Sequence, residues 1–228
     1  MQAVILAGGL GTRLRPLTQS LPKCMAPVGG FPFLHYQLKL LRKRGVKRCL
    51  LLTGHLGCQI EDYFNNGAVY GLSLVYSREQ GGLLGTGGAL KKAENLLEEK
   101  FLLVNGDTYL DMDYAALYAS LNGHARAVIA ASRQGARFDL DIDLLGRITR
   151  YDKTASGLCY VNAGAMALRR EILGWVLPDT VVSLEEDILP PLIARGEVLA
   201  YRVEEPFYDI GSFEGLGIFK EKLAEARP

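Results

Sequence analysis

The residues with the clearest chemical content lie in one short stretch, LAGGLGTRLRPLT from Leu6 to Thr18, directly behind an apolar run. Gly8, Gly9 and Gly11 carry no Cβ, so backbone N–H groups there stay open to an anion. Arg13 and Arg15 add charge in a form that suits phosphate, because the planar guanidinium fork donates two parallel hydrogen bonds. The pattern is not a P-loop, since G-x-x-x-x-G-K-[ST] is missing. Nor is it a dinucleotide fingerprint, because the position three after Gly11 is Leu14. A strand-exit turn explains three glycines but leaves two arginines unexplained. The carboxyl edge of a strand is also where open α/β sheets hold ligands, so phosphate binding is the expected chemistry.

Further segments carry groups of a compatible kind. In PKCMAP, from Pro22 to Pro27, Lys23 stands between a proline and an apolar pair. Held in a fixed turn it would aim a charge at phosphate; otherwise it is an ordinary solvated lysine. QGGLLGTGG, from Gln80 to Gly88, is a second glycine-rich loop and enters a helical pattern whose N-terminus carries partial positive charge. Glu79 precedes it. A carboxylate accepts two parallel hydrogen bonds, as the N1–H and 2-amino edge of guanine would offer, whereas uracil or thymine has a single N3–H donor. A plain surface glutamate fits the local sequence equally.

Asp107 closes FLLVNGD and Asp209 sits in PFYDIGS, each ending an apolar segment. Alone, each reads as well as a cap or turn aspartate. With a phosphate loop beside them, they form the ligand set Mg²⁺ uses, one or two carboxylates plus substrate oxygens. Lys153 in RYDKT adds a cation, and Asn162 and Gly164 in YVNAG either read sugar hydroxyls or form a strand bulge. His35, His55 and His124 have no partners at ligand spacing, so neither a metal nor a catalytic role is expected of them.

These groups need elements to hold them. Apolar runs at 2–7, 47–53, 72–77 and 101–107 alternate with helical patterns at 33–44, around 56–65 and near 87–99. Beyond residue 124 come another strand (ARAVIAAS), a hairpin turning at Leu145-Gly146, and a strand at 160–168. A helix follows near 184–195, opened by Ser183 with Glu186 as a capping box, then a strand at 197–203 and a last helix from Ser212. The expected fold is α/β: a Rossmann-like mixed, mainly parallel sheet flanked by helices, with a small antiparallel insertion.

The chain of 228 residues fits one large domain or two small ones and should bury roughly 70–75% of its unfolded surface. At 49% hydrophobic and 22% charged it is too apolar to be disordered. A net charge of +1 excludes a general nucleic-acid or anionic-membrane binder but leaves room for a local basic pocket. Cys24, Cys49, Cys58 and Cys159 show neither C-x-x-C nor zinc spacing, which suits reduced thiols in the cytoplasm. MQAVILAGG lacks the basic start of a signal peptide, and no run approaches the roughly 18–20 apolar residues of a membrane span.

LAGGLGTRLRPLT, LPKCM, LGTGGAL, VNGD, YVNAG, SLEEDILP and DIGS occur in the order seen in sugar-1-phosphate nucleotidyltransferases, from residue 6 to 212. On these motifs the chain resembles that family, and MAPVGGFPFLHYQL with LGTGGAL is most similar to its D-glycero-D-manno-heptose 1-phosphate guanylyltransferases. DYFNNGAVYGLSLVYS also resembles N-acetylmuramate 1-phosphate uridylyltransferases. The resemblance implies a nucleotide-diphospho-sugar transferase fold over residues 1–228 as one catalytic domain, acting in the cytoplasm as a monomer or homodimer. Its partners would be an NTP, GTP first, and a sugar 1-phosphate, with Mg²⁺ as cofactor.

By that resemblance the nucleotide would lie against Leu6, Ala7, Gly8, Gly9, Gly11, Thr12, Arg13, Glu79, Gly85 and Thr86. Arg13, Lys23 and Asp107 would be catalytic, and Asp107 with Asp209 would hold the metal. Asn105, Lys153, Asn162, Gly164 and Glu185 would receive the sugar phosphate. The sugar phosphate would attack the α-phosphorus and release pyrophosphate. Five positions depart from the family pattern: Cys24 replaces a proline, Phe138-Asp139 a Tyr-Gly, Asp152 a glutamate, and Ser212 the threonine of DIGT. A catalytically silent sugar-nucleotide-binding relative is the rival class. A dinucleotide oxidoreductase is excluded, because the second strand ends in Thr53-Gly54 without an acidic residue.

Overall fold

The computed structural model describes residues 1–135 and 137–225. The chain runs β1 (Gln2–Ala7), a small ribbon of β2 (Pro27–Val28) and β3 (Phe31–Pro32), α1 (Phe33–Lys43), β4 (Arg48–Thr53), α2 (Gly57–Phe64), β5 (Ser73–Arg78) and α3 (Gly85–Lys92). There follow β6 (Lys100–Asn105), β7 (Thr108–Leu110), α4 (Tyr114–Ser120), β8 (Ala127–Ser132), β9 (Leu140–Ile142), β10 (Ile148–Tyr151) and β11 (Val161–Arg169). A wide π turn, Leu184–Ile188, leads into α5 (Leu189–Ala194); β12 (Val198–Val203), β13 (Phe207–Asp209) and α6 (Phe213–Glu225) complete the chain.

Seven strands form one sheet in the order β12-β8-β11-β6-β1-β4-β5. β1 pairs in parallel with β4 and β6, β4 with β5, and β12 with β8, while β11 alone is antiparallel to its neighbours β6 and β8. The sheet is therefore mixed and mainly parallel, with the β9–β10 hairpin as a small antiparallel addition. Both faces are buried, and β1 shows how. Ala3 and Ile5 face Leu34, Leu38 and Leu41 of α1 and Leu117 of α4, while Val4 between them faces Leu90 of α3 and Leu189 and Leu192 of α5. Strands buried on both faces read as continuous apolar runs, which is why QAVILA and FLLV stand out in the sequence.

A third, smaller core matters more for function. Leu14, Phe33, Ile210 and Phe219 are sealed from water and pack together with the buried Leu216. This ties the first glycine-rich loop, the start of α1 and the residues after β13 into one block. Burial of such side chains stabilises by about 1.5–3 kcal/mol each.

Some boundaries fall elsewhere than the sequence patterns suggest. The helix expected near 87–99 starts at Gly85 and stops at Lys92, with a separate 3-10 turn at Glu94–Leu96. Ser183 does cap its turn, accepting from Glu186 N–H, but the reciprocal bond to Ser183 N–H comes from Asp187 Oδ2 at 2.7 Å. The π turn is one residue wider than an α turn, so the reaching acid shifts by one. Three short elements, β7, β13 and α4, carried no clear sequence signal, although Asp113 caps α4 through Ala116 N–H at 2.9 Å. Among the described residues no helix is long and apolar enough to cross a membrane.

Candidate active site

β1 ends at the sheet's carboxyl edge, where the chain turns through Gly8 to Gly11. Gly11 has φ +59°, and a Cβ there would meet Thr18 Cγ2 at 2.9 Å and Lys23 Cβ at 3.1 Å. Thr18 Oγ1 donates to the Gly11 carbonyl at 2.8 Å, and Leu14 N–H to the same carbonyl at 2.9 Å, so the loop folds back on itself. With Leu14 buried beneath, Gly9, Thr12 and Arg13 are left exposed. Among the described residues no backbone N–H from Gly9 to Arg13 has a protein acceptor. Unclaimed donors and a guanidinium on a pinned loop form a ready anion cradle.

The charged groups converge on Gly211. An atom placed at its Cβ position would lie 2.7 Å from Arg13 Nη2, 2.7 Å from Asp209 Oδ1 and 2.8 Å from Lys23 Nζ. Lys23 sits on a short turn whose Cys24 and Met25 are buried, and its ammonium forms an ion pair with Asp107. The two aspartates meet because β7 and β13 pair antiparallel, setting Asp209 opposite Thr108, with Ile210 N–H donating to the Asp107 carbonyl at 2.9 Å. Among the described residues no third His, Cys, Asp or Glu joins them as a metal cluster. Two carboxylates with the remaining positions open fit Mg²⁺, which takes few protein ligands and fills its shell with substrate oxygens and water.

A cavity of about 420 Å³ opens beside this point, and every residue expected to bind the nucleotide lines it, from Leu6 through Arg13 and across to Glu79, Gly85 and Thr86. Lys23, Asn105, Asp107 and Glu185 line it as well. Leu52, Leu83 and Ala89 form an apolar wall that sequence reasoning missed. Leu83 carried a sequence signal, an apolar residue inside the glycine-rich run QGGLLGTGG, and the fold leaves it 37% exposed. Gly106 also lines the cavity; its N–H donates to the Leu6 carbonyl at 3.0 Å where the chain leaves β6 beside the end of β1, and a Cβ there would strike that carbonyl.

Lys153, Asn162, Gly164 and Asp209 do not line the cavity. Asp209 stands at the Gly211 convergence instead. Glu185 joins the cavity to a polar cluster behind it. It accepts from Thr86 Oγ1 at 2.7 Å and lies 3.9 Å from Lys153 Nζ. Asn162 N–H donates to Asp139 Oδ1 at 2.8 Å, while Asn162 Nδ2 donates to Tyr151 Oη at 3.0 Å. Burial pushes the Asp139 carboxyl above the usual carboxylate range, against the Asn162 N–H bond and the charge of Lys153. Asp152 takes no part: its side chain accepts from Thr154 N–H, Thr154 Oγ1 and Arg150 in its own turn. YVNAG does contain a bulge, with the register shifting between Asn162 and Met166.

Several residues around the cavity carry structural duties besides any ligand contact. Glu79 Oε1 accepts from Leu84 N–H at 2.6 Å and closes the loop between them. Bidentate pairing with a base edge would require that bond to be given up. Burial raises the Glu79 carboxyl above its ordinary range. At the start of α3, Gly87 and Gly88 N–H both donate to the Val182 carbonyl, at 2.8 and 3.1 Å. The Cys24 thiol is pushed up to about 12 by burial, so it stays protonated and packs rather than reacts.

An anion cradle at the end of β1, cations and paired carboxylates around one point, and a cavity at the sheet's carboxyl edge define a nucleotide-handling phosphoryl-transfer site. The chain belongs to the nucleotidyl transferase family, whose model matches residues 2–136, and is an enzyme of the sugar-1-phosphate nucleotidyltransferase class. It is 33% identical to the D-glycero-alpha-D-manno-heptose 1-phosphate guanylyltransferase of Aneurinibacillus thermoaerophilus, over 92% of this chain and 93% of that protein. It is 39% identical to the enzyme of the same name from Campylobacter jejuni, over 92% of this chain and 95% of that one. The solved structure of HddC from Yersinia pseudotuberculosis complexed with GMP-PN superposes with a TM-score of 0.83 at 31% identity, covering 97% of this chain and 99% of that one.

Proposed function

We propose that this enzyme transfers GMP from GTP to D-glycero-alpha-D-manno-heptose 1-phosphate, giving the GDP-heptose and pyrophosphate. The observation that carries the transfer chemistry is the convergence of Arg13, Lys23 and Asp209 on Gly211, beside Asp107 and the cavity. The choice of guanine and heptose rests on end-to-end likeness to two guanylyltransferases of that name and on the GMP-PN complex of HddC.

A phosphate oxygen of the sugar phosphate attacks the α-phosphorus of GTP. The new P–O bond forms as the bond to the β-phosphate oxygen breaks, and its electron pair leaves with pyrophosphate. The attacking oxygen is already anionic, so no side chain has to remove a proton. What the protein must supply is alignment of two polyanions and neutralisation of their charge. The N–H groups from Gly9 to Arg13 and the Arg13 guanidinium hold the β- and γ-phosphates, and Lys23 leaves Asp107 to meet the α-phosphate. Asp107 and Asp209 would hold Mg²⁺, which supplies positive charge to phosphate oxygens when bound. Leu83, Leu52 and Ala89 offer the base and ribose an apolar wall. Lys153, linked to the cavity through Glu185, receives the sugar phosphate together with Asn162.

Elements from both ends of the chain build this one site, which supports reading residues 1–228 as one catalytic domain. Cys24, Cys49, Cys58 and Cys159 are free thiols, in keeping with a cytoplasmic enzyme. The test is pyrophosphate release across the common NTPs against heptose, mannose, glucose and N-acetylmuramate 1-phosphates. GTP with the heptose should give the highest kcat/KM. A higher value for UTP with N-acetylmuramate 1-phosphate would overturn the assignment.

A further inference from the structure

A second recess, of about 680 Å³, lies on the outer side of α1 where the connection from α2 to β5 passes over it. His35, Lys39 and Arg42 sit on successive turns of the helix with Lys43 at the rim; the positive charge is that of the two lysines and Arg42, since burial and the neighbouring Lys39 lower the His35 pKa. No Asp or Glu lines the recess. Among the described residues the Lys39 and Arg42 side chains have neither a hydrogen bond nor an ion pair. Lys43 is 70% exposed and only 3.8 Å contact with Asp111 restrains it, so it is free to swing inward. In a protein of net charge +1, an acid-free pocket with unpaired cations is a site for an anion.

The recess also has a flat face. The Phe31 ring stacks on His35 at a centroid distance of 4.3 Å and an angle of 15°, yet stays 45% exposed. Tyr70 Oη lies 3.1 Å from His35 Nδ1 and fixes the imidazole beneath Phe31, and Tyr63 lines the same recess at 47% exposure. Two half-exposed aromatic rings beside unpaired cations offer a planar anion both a stacking face and charge partners.

We propose that this recess is a second nucleotide site, separate from the catalytic cavity, taking a nucleoside diphosphate or the nucleoside diphosphate part of a sugar nucleotide. The base stacks on Phe31, and the phosphates lie along Lys39 and Arg42 with Lys43 closing over them. Stacking is tolerant of the base, so the site accepts purine and pyrimidine nucleotides alike. Its volume falls in the range of small-molecule pockets.

The experiment is calorimetric titration of the full chain with GDP, with UDP and with inorganic pyrophosphate, all without divalent metal. Wild type should bind two equivalents of GDP, while Arg13→Ala/Lys23→Ala, which disables the catalytic cavity, should keep one. Lys39→Glu/Arg42→Glu should lose the other equivalent at an unchanged Tm, since both side chains point to solvent. Phe31→Ala should weaken that equivalent at least tenfold while leaving the catalytic one alone. Affinity at the second site should fall several-fold between about 50 and 300 mM salt, as screening shortens the reach of its charges. A single equivalent in wild type would overturn the proposal, as would two equivalents unaffected by the charge reversal. Pyrophosphate binding there as tightly as GDP would reduce it to a bare anion patch.

Discussion

Two glycine-rich loops border the catalytic cavity, and they use glycine for opposite reasons. In the first, from Gly8 to Gly11, the chain is pulled tight at Gly11 so that the donors beside it are left bare; Gly9 itself has no heavy atom within 4 Å of where a Cβ would stand. In the second, from Gly81 to Gly88, the later glycines are filled space. A Cβ on Gly85 would come 2.5 Å from the Val182 carbonyl, one on Gly88 would strike the Thr180 carbonyl, and the Gly87 and Gly88 N–H groups are already bonded to Val182. The first loop spends its backbone on a ligand, the second on the 180–182 segment. A glycine run signals close approach; whether the neighbour is phosphate or protein is decided by what the fold brings against it.

The largest effect should come from the charged groups behind the first loop. Asp107→Asn removes a proposed metal ligand and the partner of Lys23, and kcat should fall by about 10²-fold or more. Pyrophosphate release at saturating substrates measures it, and near-wild-type turnover would remove Asp107 from the metal site. Gly9→Ala comes next. Its backbone is not left-handed and its surroundings are open, so the fold should tolerate the methyl. The phosphates should not: kcat/KM is expected to drop about 10- to 100-fold, with Tm unchanged.

Gly88→Ala is the matched control on the other loop. The new methyl meets the Thr180 carbonyl in a packed contact, so stability should fall by about 1–3 kcal/mol in chemical denaturation, while the kcat of the folded fraction stays within a few-fold. If Gly88→Ala lost activity without losing stability, and Gly9→Ala the reverse, the distinction between the loops would be lost.

Much of this was readable in the sequence. The buried strands announce themselves as unbroken apolar runs, and the glycine, arginine and aspartate motifs fall at their carboxyl ends, where the sheet places the cavity. What escaped was non-local. No local pattern tells that Val182 would occupy the α3 N-terminus, because that partner lies in a loop whose position only the assembled core sets; the Leu84 N–H bond to Glu79 spans five residues but depends on the conformation of the glycine-rich loop between them. The three-residue strands β7 and β13 are too short to show periodicity, yet their pairing is what joins Asp107 to Asp209.

The contrast between residues turned to the ligand and residues turned to the fold extends to carboxylates, where the effect is smallest and its sign is set by pH. Asp139 is held above its ordinary range mainly by burial, with Glu185 adding to the rise and Lys153 and the Asn162 N–H opposing it. Asp152 is half-exposed and held well below the ordinary range by Thr154 and Arg150. For Asp139 the folded state keeps its proton to higher pH than the unfolded chain does. Stability therefore declines as pH rises from the ordinary aspartate range through the raised value, and is flat beyond it. Asp139→Asn keeps an oxygen for the Asn162 N–H and removes that ionisation cost. Its Tm should match wild type near about pH 3.5 and exceed it by about 1–3 °C at neutral pH. Asp152→Asn should do the opposite, losing stability at neutral pH and none in acid, because a depressed carboxyl stabilises only above its unfolded value. If the Asp139→Asn gain persisted unchanged into acid, its origin would be packing rather than charge, and Asp139 would belong with the second loop's glycines as a residue shaped by its protein neighbours alone.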